Sequence, residues 1–259
     1  MSTPRPWEGG DERDRWNGYL DFSRIDGEIG YPVLRNKVDA STYADLRVRE
    51  DRYAMVRGLT LGEHGIPSSY DLDGLRDVHR HLFQDVYEWA GQVRTVNIVK
   101  GEAFAPPETI EPLMAGVAEA MRETDLLRAI PEHNYAEALA TVYNTINTAH
   151  PFREGNGRTQ RLFVDALAAE SGHRLDWTKV HGRENDDASE RARAGDLTRL
   201  TAMFNAITSK ATSSPSSRTV ERGVSVGTRP QSVRSALPGE RSYGQRSRGR
   251  PGPSHGYGR

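Results

Sequence analysis

The chain's chemistry is concentrated in twelve consecutive residues, His150-Pro151-Phe152-Arg153-Glu154-Gly155-Asn156-Gly157-Arg158-Thr159-Gln160-Arg161. Apolar residues at helical spacing lead into them (Leu139, Val142, Tyr143, Ile146) and away from them (Leu162, Phe163, Ala166, Leu167). The order is therefore helix, imidazole, glycine-rich loop, helix. A helix that begins near Asn156 leaves its first N–H groups without intrahelical partners, and its dipole adds positive potential there. Gly155 and Gly157 let the backbone bend so that these N–H groups converge on phosphate oxygens. Arg158 and Arg161 lie three apart on one helix face, where both guanidinium forks reach the same anion. Glu154 at the loop's mouth is a carboxylate among phosphates. A magnesium ion explains it, since Mg2+ is commonly held by one carboxylate plus phosphate oxygens and water. His150 is a natural base for drawing a proton from a hydroxyl nucleophile. Together these groups suit phosphoryl-type transfer from a nucleotide polyphosphate.

The elements that must position this loop are mostly helical. Between about Val33 and Ser209 the dominant period is 3.6. Leu75, Val78, Leu82, Phe83, Val86 and Ala90 mark one amphipathic helix, with Asp71 or Asp73 as its cap and Gly91 as its end. Leu113, Met114, Val117 and Met121 mark another, with Pro112 tolerated in its first turn. Further helical patterns cover Ser41 to Arg57 and Asp187 to Thr208. Only Gln92 to Val99 alternates, with β-branched residues, before turn chemistry at Lys100-Gly101-Glu102 and a stop at Ala105-Pro106-Pro107. It reads as a short hairpin or an isolated extended ribbon, too small to form a sheet core. The fold class is all-α with one short β-flap, and no internal repeat is present.

Composition sets the outer limits. The 259 residues contain no cysteine, which excludes a disulfide framework and a thiolate zinc site. No apolar run approaches a membrane span, so no membrane partner is expected. Residues 1–30 form a polar, acidic extension containing Trp7 and Trp16 and resemble no secretory signal. The net charge of -1 hides an asymmetry: the segment 211–259 has nine arginines against Glu221 and Glu240. This Arg/Ser/Gly/Pro-rich tail is expected to be disordered, because it cannot bury enough surface to offset its ordering entropy. It has three readings: a solvated tail with no specific role, a salt-sensitive contact with nucleic acid or an acidic partner, or a secretion signal. The domain itself is expected to span 31–210.

The twelve residues fill every defined position of the Fic-domain signature, His-Pro-Phe-x-(Asp/Glu)-Gly-Asn-Gly-Arg-x-x-Arg. The resemblance extends over most of Tyr31 to Thr208, including the stretches Tyr31 to Lys37, His81 to Gly91, Arg94 to Ile98 and Phe104 to Pro107. It implies a Fic-type helical bundle that uses ATP and Mg2+. The implied reaction moves AMP to a Ser, Thr or Tyr hydroxyl of a protein and releases pyrophosphate. Carried over by position, His150 is the general base and Glu154 the Mg2+ carboxylate. Gly155, Asn156, Gly157 and Arg158 form an anion hole for the α- and β-phosphates, and Arg161 clamps the γ-phosphate. The flap, 93–105, is expected to register the target segment through main-chain hydrogen bonds, with Lys100 and Gly101 near the nucleotide. Relatives that transfer phosphate carry a lysine after the acidic position. Gly155 stands there in this chain and favours AMP transfer. Phosphotransfer, another nucleotidyl transfer and a non-catalytic nucleotide-dependent binding module are the alternatives.

Many members of the family restrain themselves with a Ser/Thr-x-x-x-Glu-Gly/Asn helix whose glutamate pairs with the second motif arginine. Glu8, Glu154 and Glu184 precede Gly or Asn here, and all lack Ser or Thr four residues earlier. The near match from Ser69 to Asp73-Gly74 is better explained as the loop and cap opening a helix. The resemblance is thus to the branch held in check by a separate antitoxin, which is expected to bring a glutamate to Arg161. A cytoplasmic toxin, or an effector translocated out of the cell, fits that branch.

Overall fold

The structure, a computed structural model, describes residues 5–100 and 102–211. The expected role of Gly101 and the three readings of the tail beyond 211 lie outside the described residues. Eight α-helices appear in that range: α1 (Glu12–Gly18), α2 (Tyr43–Thr60), α3 (Leu72–Phe83), α4 (Ile110–Glu123), α5 (Glu132–Ala149), α6 (Asn156–Glu170), α7 (Gly182–Arg193) and α8 (Thr198–Ile207). Where the sequence suggests one β-ribbon, three two-stranded antiparallel ribbons form. They pair β1 (Leu20–Asp26) with β2 (Tyr31–Leu34), β3 (Val99–Lys100) with β4 (Glu102–Ala103), and β5 (His173–Leu175) with β6 (Thr208–Lys210). No helix among the described residues is long and apolar enough to cross a membrane.

Helix α5 is the hub. It packs against α4, α6, α7 and α8, while α3 bridges α2, α4 and α6. Leu139 and Ile146 of α5, Phe163 and Leu167 of α6, Leu82 and Phe83 of α3 and Phe204 of α8 are all buried in one core cluster. Burial of each such side chain contributes about 1.5–3 kcal/mol against the entropy of ordering the chain. Asp71 caps α3, accepting from the Gly74 N–H at 3.0 Å, which settles the choice between Asp71 and Asp73.

Two helix ends differ from the sequence pattern. Helix α3 stops at Phe83 and does not run on to Gly91. Beyond it Tyr87 and Trp89 are both buried and stack at 4.1 Å, and residues two apart cannot face each other on a helix. The pattern from Asp187 to Thr208 divides into α7 and α8. The break falls at Gly195, which takes a left-handed conformation with φ 96°.

The first residues are part of the core. Trp7 is 2% exposed, and Trp16, Tyr19 and Leu20 join the same buried cluster. Strands β1 and β2 pair across residue 30, with Leu20 opposite Leu34 and Asp26 opposite Tyr31. The Trp7 indole N–H donates to Gln92 Oε1 at 2.9 Å.

Helix α3 also reaches the loop after α5. His79 Nδ1 accepts from the Gly91 N–H at 2.7 Å, so the ring proton sits on Nε2 and is donated to the Glu154 carbonyl at 3.0 Å. The ring stacks on Phe152 at 3.9 Å. Both nitrogens are thereby used in the neutral form, and burial pulls the His79 pKa down to about 3.

Two measurements check these packing arguments. Trp7→Ala should lower the unfolding free energy by about 3–5 kcal/mol, as large buried aromatics do, and a urea titration reads it. The depressed pKa of His79 means that the unfolded chain binds a proton first as pH falls. Stability is therefore complete above about pH 6.5 and declines toward the folded value. Between pH 7.5 and 5 the His79 contribution should fall by about 2 kcal/mol, and His79→Gln should flatten that slope.

Candidate active site

His150 closes α5. Its N–H donates to the Ile146 carbonyl at 2.9 Å, and its backbone is left-handed, with φ 42°. This conformation is costly for a residue with a Cβ and throws the ring out of the helix line. The imidazole stacks on Phe104 at 3.7 Å, nearly parallel. Nδ1 is buried without a hydrogen bond among the described residues, and the Asn147 backbone is the one group that raises the ring's pKa against its surroundings. The His150 pKa lies at about 3, chiefly through burial and then through the positive charges of Arg94, Arg193 and Lys100. The ring is neutral at physiological pH, as a base must be.

The turn into α6 is made by one glycine. Gly155 is left-handed, with φ 81°, and a Cβ on it would meet the Phe83 ring at 2.4 Å. Gly157 does not bend the chain. It is in the first turn of α6, exposed, and a Cβ there would find only Arg161 Nη1 at 3.9 Å. Its lack of a side chain keeps the helix end open to close approach. Helix α6 has no side-chain cap, so its first N–H groups remain available for an anion. Asn156 contributes through its backbone. Its side chain is committed to the loop, with Oδ1 accepting from Phe152 N–H at 2.8 Å and Nδ2 donating to the Phe152 carbonyl at 2.7 Å.

Glu154 lies beside this helix end. Its Oε1 accepts from Arg153 Nη1 at 2.9 Å, and burial raises its pKa against the pull of Arg153. Arg153 in turn lies over the Trp16 ring at 4.5 Å, which ties the N-terminal segment to the loop. A carboxylate beside an uncapped helix N-terminus fits a divalent ion that takes its other ligands from phosphate and water. Among the described residues no group of three or more His, Asp or Glu side chains could hold a metal.

The two motif arginines are held differently. Arg158 Nη2 donates to Glu50 and Nη1 donates to Asp51 at 2.7 Å, both from α2, and its guanidinium lies 4.9 Å from the Phe83 ring. Arg161 forms no ion pair among the described residues. Lys100 pairs with Asp186 of α7 at 3.4 Å, and its charge reaches His150.

Sequence reasoning missed the residue that ties these parts together. Arg94 is 1% exposed and has no carboxylate partner among the described residues. Nε donates to the His150 carbonyl at 2.9 Å, Nη1 to Val96 at 2.7 Å, and Nη2 to Ala149 at 3.1 Å and to Ala105. Its backbone N–H meets the Pro151 carbonyl at 2.8 Å. Arg94 thus caps the carbonyl end of α5 from the flap, and burial lowers its pKa to about 10.

The flap strands are shorter than the alternation suggests. Residues 93–98 are not a strand. Arg94, Val96 and Ile98 point inward, and the outer positions are fastened to the N-terminal segment. Arg15 Nε donates to the Thr95 carbonyl, Thr95 Oγ1 donates to Trp7, and Glu12 accepts from both the N–H and Nδ2 of Asn97. Alternation there reports burial, with strand pairing confined to residues 99–103.

Known proteins resemble this chain in sequence and fold. The protein adenylyltransferase VbhT of Bartonella schoenbuchensis is 35% identical over 180 residues, and the chain spans 69% of its own length and 37% of that protein. The probable protein adenylyltransferase y4lH of Sinorhizobium fredii is 36% identical over 188 residues, covering 70% of this chain and 95% of the relative. In the same fold is the AMPPNP-bound crystal structure of BepC, a VirB-translocated effector of Bartonella tribocorum. It superposes with a TM-score of 0.66 at 23% identity, over 75% of this chain and 97% of that one. The Fic/DOC family profile matches residues 69–168, from the loop before α3 to the last turns of α6. The loop, its flanking helices and near-full-length similarity to y4lH all agree: the chain belongs to the Fic/DOC family.

Proposed function

We propose that the chain is a protein adenylyltransferase, which transfers AMP from ATP to a Ser, Thr or Tyr hydroxyl of a target protein. The observation that carries this reading is the pairing of a neutral His150 with the uncapped N-terminus of α6 across a rigid five-residue loop. The relatives named protein adenylyltransferase support it. His150 Nε2 takes the hydroxyl proton while the oxygen attacks the α-phosphorus. The bond from that phosphorus to the bridging oxygen breaks, and pyrophosphate leaves. The N–H groups of Asn156 and Gly157 with Arg158 and Arg161 hold the phosphates, and Lys100 adds positive potential at the flap. Glu154 is the residue that would hold Mg2+, which when bound offsets phosphate charge.

Gly155 favours AMP transfer only through the family resemblance, and its packing explains why a glycine stands there. A lysine there would need both a left-handed backbone and a displaced Phe83 ring. The target segment pairs with the flap around residues 93–105. A separate antitoxin supplies a glutamate to Arg161, the motif arginine without an ion pair among the described residues. The chain acts in the cytoplasm as a toxin, or is translocated as an effector. BepC, a VirB-translocated effector of the same fold, is the precedent for the second route.

Labelled ATP tests the reaction in a target-containing lysate. Label at the α-position should move to protein and label at the γ-position should not. His150→Ala should cut that transfer by about 10²–10⁴-fold, the size of a general-base contribution, with ATP affinity largely kept. Full activity in His150→Ala, or γ-label on protein, refutes the mechanism. The antitoxin reading predicts that the isolated full chain is active with Mg-ATP. Activity appearing only after an internal segment is removed rules it out.

A further inference from the structure

Two acids of α2 hold Arg158 in unlike ways. Glu50 is 6% exposed, and both its oxygens are engaged, Oε1 by Arg158 and Oε2 by the hydroxyl of the buried Tyr87. It lies on the inward face of α2, in step with Leu46 and Ala54. Asp51 is next along the helix, and its side chain is 33% exposed. Its Oδ1 takes Arg158 Nη1 at 2.7 Å. Phe83 lies against the guanidinium, and that ring also abuts the Cα of Gly155. Arg158 is therefore fixed by two groups that cannot leave and held by a third that can turn to water.

Carboxylate and phosphate oxygens compete for the same guanidinium N–H groups. A phosphate that displaced Glu50 would leave a buried charge without its partner, at large cost. Displacing Asp51 costs only a partly exposed ion pair. Asp51 would also repel the nucleotide's own charge if it stayed. We infer that Glu50 is a positioning residue that aims Arg158 at the nucleotide phosphates, and that Asp51 occupies the phosphate's place on Arg158 in the empty enzyme and yields it on binding. The inference rests on the reading that Arg158 meets a phosphate. It adds an internal competitor to the site, set by a helix upstream of the motif.

The test compares ATP with adenosine, which lacks phosphates, on the full chain, by calorimetry for ATP and NMR titration for adenosine. Asp51→Asn should tighten ATP binding about two- to fivefold, the value of a partly exposed pair, with adenosine unchanged. Glu50→Gln should weaken ATP about tenfold, again with adenosine unchanged. If Glu50→Gln unfolds the chain, as a thermal melt would reveal, Asp51→Asn at the helix surface still decides the matter. Unchanged or weakened ATP binding in Asp51→Asn overturns the proposal. So does a Glu50→Gln variant whose ATP and adenosine affinities fall together, since that marks general disruption. Arg158→Gln separates the layers. Wild-type ATP affinity in that variant defeats the phosphate role of Arg158 itself. A loss there, beside an inert Asp51→Asn, defeats only the competitor.

Discussion

A single buried guanidinium decides where the His150 ring can be. Arg94 gathers the carbonyls of Ala149 and His150 from the end of α5 and those of Val96 and Ala105 from the two sides of the flap. Helix C-termini carry partial negative charge and unsatisfied acceptors, so a cation without a carboxylate is at home there. The consequence is mechanical. The helix end, the flap base and the loop after α5 become one body, and the left-handed backbone of His150 is over-determined by its neighbours. The same charge helps keep the imidazole neutral.

Around that body the walls are rings. Phe104 lies on His150, Phe152 on His79, Phe83 against Gly155 and Arg158, and Trp16 under Arg153. Aromatic side chains have few torsions to freeze, so they hold a site at small entropic cost. Arg94, Lys100, Arg158, Arg161 and Arg193 set the potential over this frame, opposed by Glu50, Asp51 and Glu154. A site of that balance suits a polyphosphate, and its acids mark where the balance can be tuned.

What the sequence disclosed was local. Residues 150–161 are contiguous, α5 and α6 flank them with clear apolar periods, and the left-handed glycine and uncapped helix follow from short-range rules. The residues that went unread act over distance. Arg94 reads as a surface arginine on a ribbon, because its acceptors are carbonyls that no sequence pattern marks. Only its alternation with Val96 and Ile98 pointed inward. His79 falls on the apolar face of α3 with Leu75, Val78 and Leu82, and Glu50 falls in step with Leu46 and Ala54. In both cases a polar residue on a buried face was the available signal. The N-terminal tryptophans were seen, but polar composition around them concealed that they are anchors. The end of α3 was hidden because Val86 and Ala90 keep the helical period after the backbone has abandoned it.

The contact between Gly155 and the Phe83 ring has a historical consequence. Position 155 cannot acquire any side chain while Phe83 keeps its place, and Phe83 is itself a fully buried core residue. A lineage that places any side chain at 155 must therefore change α3 before, or together with, the loop. The order of mutations is constrained by packing rather than by chemistry. Two residues far apart in the chain are bound to diverge as a pair.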